Sequence, residues 1–161
     1  MAAVTAAAAG PVAVGKTSNV MKSLLTPEDE ALLIAAIREQ EARTSAEIRI
    51  CITPKFILRH ERYARQLFEK NGMTRTRHRN AALIVMMPFM RKIVIIGDSG
   101  LNAVVSPDFW KEAVGAMIRQ MHDTGPLEAL REGLRRLGDT LSTNWPREAD
   151  DVNELSDEIL K

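Results

Sequence analysis

The stretch AALIVMMPFMRKIVIIGDSG, Ala81 to Gly100, decides how this chain folds on paper. Ala81 to Met87 is apolar at every position, the pattern of a strand covered on both faces. Lys92 to Ile96 is strand-like again, and Pro88-Phe89-Met90-Arg91 is only long enough for a reversal. An antiparallel hairpin follows. Gly97-Asp98-Ser99-Gly100 then closes the second strand with a polar, glycine-flanked loop.

Outward from the hairpin, Glu47 to Thr53 alternates, with Ile48, Ile50 and Ile52 on one side and Glu47, Arg49 and Cys51 on the other. This period predicts a strand with one well-buried face. Between that strand and Ala81, His60 to Asn71 reads as a helix turning Tyr63, Ala64, Leu67 and Phe68 inward. Gly72 is placed to end it in the left-handed conformation. A helix joining two strands implies parallel pairing through a right-handed crossover.

Thr26-Pro27-Glu28-Asp29 starts an earlier helix, with Thr26 as cap, Pro27 at the first position and Asp29 completing a capping box. Its inward face holds Leu33, Ala36 and Ile37, and it fades near Arg43. Downstream, Ser106-Pro107-Asp108 starts a helix whose apolar face carries Trp110, Val114, Met117, Ile118 and Met121. Gly125-Pro126 breaks the chain, and Leu127, Leu130, Leu134, Leu137 and Leu141 mark a last helix that Pro146 stops. The expected fold class is α/β: a three-layer α/β/α sandwich. Its small mixed sheet holds a parallel pair plus the antiparallel hairpin, with about four helices around it. Residues 26–145 form this domain. Residues 1–25 read as a flexible extension, and residues 146–161 as an acidic, loosely docked tail.

Composition excludes several functions. With 161 residues, one domain is the default, and a net charge of +1 offers no bulk attraction for nucleic acid or for an anionic membrane. The basic run Lys70, Arg75, Arg77, His78 and Arg79 lacks interleaved aromatics and reads as a solvated loop. The single cysteine excludes an intramolecular disulfide, and Cys51 in its apolar strand reads as core. His60 and His122 have no partner at ligand spacing. No apolar run approaches the roughly 18 residues of a membrane span. Met1 to Val14 lacks the basic start of a secretory signal, so a cytoplasmic monomer is expected.

The strand directions bring three polar segments to one sheet edge: Thr44, Ser45 and Glu47; Arg79 and Asn80; and Gly97 to Asn102. Convergent polar groups beside glycines suit a binding site. The candidate rim is Ser45, Glu47, Arg79, Asn80, Gly97, Ser99 and Gly100, with Asp98 and Asn102 as metal ligands. Pro54-Lys55 and the Pro88 turn, at the opposite edge, look like plain connections.

Several of these residues also resemble a known family. Thr44-Ser45-Ala46-Glu47-Ile48-Arg49, Phe68-Glu69-Lys70-Asn71-Gly72-Met73-Thr74-Arg75-Thr76 and Arg79-Asn80 before an apolar strand resemble the TPM domain. Gly97-Asp98-Ser99-Gly100-Leu101, Phe109-Trp110 and Asp150-Asp151-Val152-Asn153-Glu154-Leu155 continue the match in order, over about Met21 to Leu155. It is similar to a short bacterial form without the signal peptide and membrane anchor that many relatives carry. The resemblance implies an α/β/α sandwich. It also implies kinship with plant thylakoid-lumen proteins associated with photosystem repair and acid phosphatase activity, and with bacterial members that bind calcium or similar ions. At one position this chain departs from the pattern: His78 stands where the family often has Asp.

Calcium takes roughly 6–8 oxygen ligands. Asp98, Ser99, Asn102, Asn80 and the glycine-loop carbonyls, with Glu47 nearby, offer a weak site in the ~10⁻⁴–10⁻³ M range of low-charge sites. A binding module, taking calcium or another divalent cation and acting through a protein partner, is the expected function. The alternative is a weak acid-phosphatase-like hydrolase with Arg79 on phosphate and Asp98 as nucleophile or base; no two-metal cluster or Cys-centred phosphate loop supports it. A distant alternative is nucleotide binding. Gly10-Pro-Val-Ala-Val-Gly15-Lys16-Thr17 matches a phosphate-loop pattern, with Ile93 to Asp98 as its acidic partner strand, but its alanine-rich upstream segment is a poor strand former.

Overall fold

The computed structural model describes residues 2–7, 25–149 and 153–161. The elements are β1 (Ala2–Ala7), α1 (Pro27–Glu41), β2 (Ile48–Ile52), α2 (His60–Lys70), β3 (Ala82–Met87), β4 (Lys92–Gly97), α3 (Ser99–Val104), α4 (Pro107–Asp123) and α5 (Pro126–Asn144). Short 3-10 turns occupy Met73–Arg75 and Pro88–Met90. The sheet order is β1-β4-β3-β2. β2 and β3 pair in parallel, with Ile48 opposite Ala82, and β3 and β4 form the antiparallel hairpin, with Ala82 opposite Gly97. Both directions are those the sequence predicts.

Three layers result. Ile48, Ile50, Ile84, Met86 and Ile95 face α1, α4 and α5, whose Leu33, Ile37, Trp110, Val114, Leu134 and Leu137 complete one core. Cys51, Leu83, Val85, Val94 and Ile96 face α2, where Ala64 and Phe68 complete the other. β3 is buried along its whole length because it sits between two strands and two helical layers. The capping box of α1 forms in both directions: Thr26 Oγ1 accepts from the Asp29 amide at 3.1 Å, and Asp29 Oδ2 from the Thr26 amide at 2.9 Å. Gly72 is left-handed at φ 72°, as its position after α2 requires.

Four expectations change. β2 is buried on both faces rather than one. α2 covers Cys51, and Arg49 reaches Asn71 Oδ1 at 3.3 Å while its stem lies in the fold. The tail is not loose over residues 153–161: Leu160 exchanges backbone hydrogen bonds of 2.9 Å with Ile50 and Ile52 along the free edge of β2. Among its acids, Asp157 pairs with Arg38 at 2.8 Å. The glycine loop is shorter than it reads, because a six-residue helix, α3, begins at Ser99.

Ala2–Ala7 is the fourth difference. It lies beside β4 as an edge strand, Ala2 opposite Gly97 and Ala7 opposite Lys92. An open strand edge offers a row of main-chain donors and acceptors that any segment, alanines included, can satisfy. The phosphate-loop pattern at 10–17 lies outside the described residues. β1 runs antiparallel to β4, so Ala7 lies by Lys92.

Candidate functional site

The starts of β2 and β3 and the end of β4 share one edge, as the register requires. Each predicted rim residue can now be placed. Asn80 is fully buried, and its Nδ2 donates to the Ser45 carbonyl at 3.3 Å, tying the β2 and β3 entries together. Arg79 adopts φ 53°, and its carbonyl accepts from the Gly100 amide at 2.9 Å. A Cβ on Gly100 would lie 2.4 Å from the His78 carbonyl oxygen and 2.8 Å from that of Arg79, so glycine is what permits this approach.

Asp98 is the hub of this half of the edge. Its side chain is only 1% exposed, against 49% for its partner Arg79. The pair is bidentate: Nε donates to Oδ2 at 2.6 Å and Nη2 to Oδ1 at 2.9 Å. Oδ1 also accepts from the Ser99 amide at 2.7 Å, capping α3. Asn102 Nδ2 donates to the Gly97 carbonyl at 2.7 Å and the Asp98 carbonyl at 2.8 Å. The carboxylate is thus matched by a fork of N–H donors, the strongest geometry for holding it. A cation or a phosphoester reaching Asp98 must first displace Arg79.

Glu47 faces the other way along the same edge. Its Oε1 accepts from the Glu154 amide at 2.7 Å, so the tail docks on it. Here lies a cleft of about 210 Å³ lined by Arg38, Glu41, Thr44, Ala46, Glu47, Arg147, Asn153 and Asp157. Arg147 Nη1 donates to the Glu41 carbonyl at 2.8 Å. The Glu41 side chain points inward with the residue only 7% exposed. Oε1 accepts from the Ile48 amide at 3.0 Å, whereas Oε2 is buried and faces no N–H donor. Burial pushes this carboxyl up to about 8, helped by the negative charges of Glu47 and Asp157 and, least, by hydrogen bonding to Asp157. Asp157 is held below its ordinary range by hydrogen bonds from Arg38, Asn153 and Glu41, which outweigh its own desolvation. The Glu41 carboxyl is therefore protonated at neutral pH, beside the Asp157 carboxylate.

Glu41 and Asp157 are the residues that the sequence reading passes over. One signal was available: Glu41 follows Leu33 and Ile37 at helical spacing, which puts a carboxylate on the apolar face of α1. The position of Asp157 had no such signal, because the return of the tail is set by tertiary contacts. Cys51 is buried and free, and burial pushes its thiol up to about 11, so it behaves as an apolar core residue. Among the described residues, no group of three or more His, Cys, Asp or Glu side chains is arranged to hold a metal ion. No described helix is long and apolar enough to cross a membrane.

Comparison with known proteins adds three findings. The model of the TPM domain matches residues 18–140. The NMR structure of BA42 protein from the psychrophilic bacterium Bizionia argentinensis superposes with a TM-score of 0.81 at 32% identity, covering 88% of this chain and 97% of that one. No curated protein matches the sequence.

Proposed function

From the premise that this chain belongs to the TPM domain family, we propose that it is a binding module which takes a divalent cation, calcium above all, in the Glu41–Glu47–Asp157 cleft and acts through a protein partner. One observation carries the reading. A carboxyl group in an open cleft, Glu41, is held protonated chiefly by its own burial, and the charges of Glu47 and Asp157 add to that. A cation entering there replaces the Glu41 proton and restores the charge balance that the proton supplies. Water completes the coordination, and affinity falls in the ~10⁻⁴–10⁻³ M range of low-charge sites. Arg38 and Arg147 flank the cleft and keep that affinity modest.

On this reading the ion sits beside Glu47, at one end of the candidate rim, rather than on Asp98 and Asn102, where Arg79 already occupies the carboxylate. The test is a calcium titration followed by amide NMR. Shifts are expected for Glu41, Glu47, Ile48, Glu154 and Asp157, with Asp98 and Asn102 following weakly. No shift at several millimolar calcium, or shifts confined to Asp98 and Asn102, overturns the assignment.

A further inference from the structure

The sheet edge opposite the cleft carries a surface that the near-zero net charge conceals. The segment after β2, Pro54 to Arg59, and the β3–β4 turn, Pro88 to Arg91, lie at the same end of the sheet. They touch: the Ile57 amide approaches Met90 Sδ at 3.1 Å, and both side chains pack on the α2-side core. Their neighbours in sequence turn outward. Phe56 is 75% exposed, Leu58 79% and Phe89 41%. Lys55, Arg59, Arg91 and Lys92 accompany them, and neither segment 54–60 nor 88–92 contains an Asp or Glu.

We propose that this end of the sheet docks on the surface of an anionic lipid bilayer. Phe56, Leu58 and Phe89 enter the interface while the cations lie against the headgroups. At this exposure the Phe56 and Leu58 side chains stand clear of the protein. A peptide groove half-buries the residues that line it. An apolar tip ringed by cations matches a surface where apolar atoms sit beneath negative headgroups. Contact is peripheral, since no described helix can span. The proposal is independent of the cation cleft, which lies at the far edge.

The test is co-sedimentation of the full chain with phosphatidylcholine vesicles that contain about 30 mol% phosphatidylserine, or none. Binding is expected with phosphatidylserine only and weakens as salt rises. Lys55→Ala/Arg59→Ala is expected to weaken it about thirty-fold, the ratio for two cations near an anionic surface. Phe56→Ser/Leu58→Ser is expected to weaken it at least ~10-fold through lost interfacial burial. All four side chains are exposed, and circular dichroism confirms that the variants remain folded. Failure to bind phosphatidylserine vesicles overturns the proposal, as does unchanged affinity of the Phe56→Ser/Leu58→Ser chain. Binding to polyglutamate without binding to vesicles reassigns the patch to an acidic protein partner and overturns it equally.

Discussion

Replacing Glu41 by Gln is expected to flatten the pH dependence of stability. The folded chain holds a proton on Glu41 up to about pH 8, against an ordinary value of 4.5. A raised folded value means that the folded state binds the proton more tightly than the unfolded state does. The stabilisation is fully present below the unfolded value and is lost as pH rises through the folded one. At about 1.4 kcal/mol per unit, the wild type loses roughly 3 kcal/mol from this group between pH 6 and 9. For a chain of this size that is roughly 6–12 °C in Tm. Glutamine keeps the oxygen that accepts from the Ile48 amide and supplies a fixed N–H toward Asp157, so it mimics the protonated acid at every pH. Urea melts at pH 6 and pH 9 should therefore show the wild type falling and Glu41→Gln holding. Parallel curves for the two proteins would refute a proton held on Glu41.

The other predictions concern the neighbours of this group and the opposite half of the edge. Asp157→Asn removes one of the charges that raise Glu41, so the wild-type decline should shift to lower pH but persist, because burial is the larger cause; an unchanged midpoint counts against their contact. Asp98→Ala loses the α3 cap and should cost about 1–2 kcal/mol by denaturant melt. Arg79→Ala should destabilise more than Asp98→Ala. It leaves a buried carboxylate without its fork of donors, whereas the half-exposed Arg79 can be solvated when Asp98 is lost. The reverse order would show that the pair is held for geometry rather than charge. Gly100→Ala places a methyl against two backbone carbonyls that cannot swing away, at a cost of about 1–3 kcal/mol; a neutral result would mean that the entry to β3 yields easily.

The β3–β4 hairpin was legible because uniform apolarity and a short turn are local signals, and parallel pairing of β2 and β3 followed from the helix between them. The edge where Ser45, Asn80, Arg79 and Asp98 meet was legible for the same reason, since topology alone dictates it. α3 escaped because six residues are too few to show a period; its only mark was Asp98 as a capping residue. β1 escaped because main-chain pairing at a sheet edge demands little of side chains, and alanines argue against a strand. The burial of Arg49 and Cys51 depended on α2, and the free edge of β2 was closed by Leu160, more than a hundred residues later in the chain. The cleft itself joins the end of α1 to the tail, two segments that no local pattern connects.

The central claim, that a cation displaces the proton on Glu41, is tested most directly by counting protons. With Glu41 near 8, the group is mostly protonated at pH 7. Calcium titrated into the wild-type chain in weakly buffered solution at that pH should release about one proton per ion bound, and Glu41→Gln should release none. Calcium binding without proton release in the wild type, or equal release from both proteins, would contradict the account.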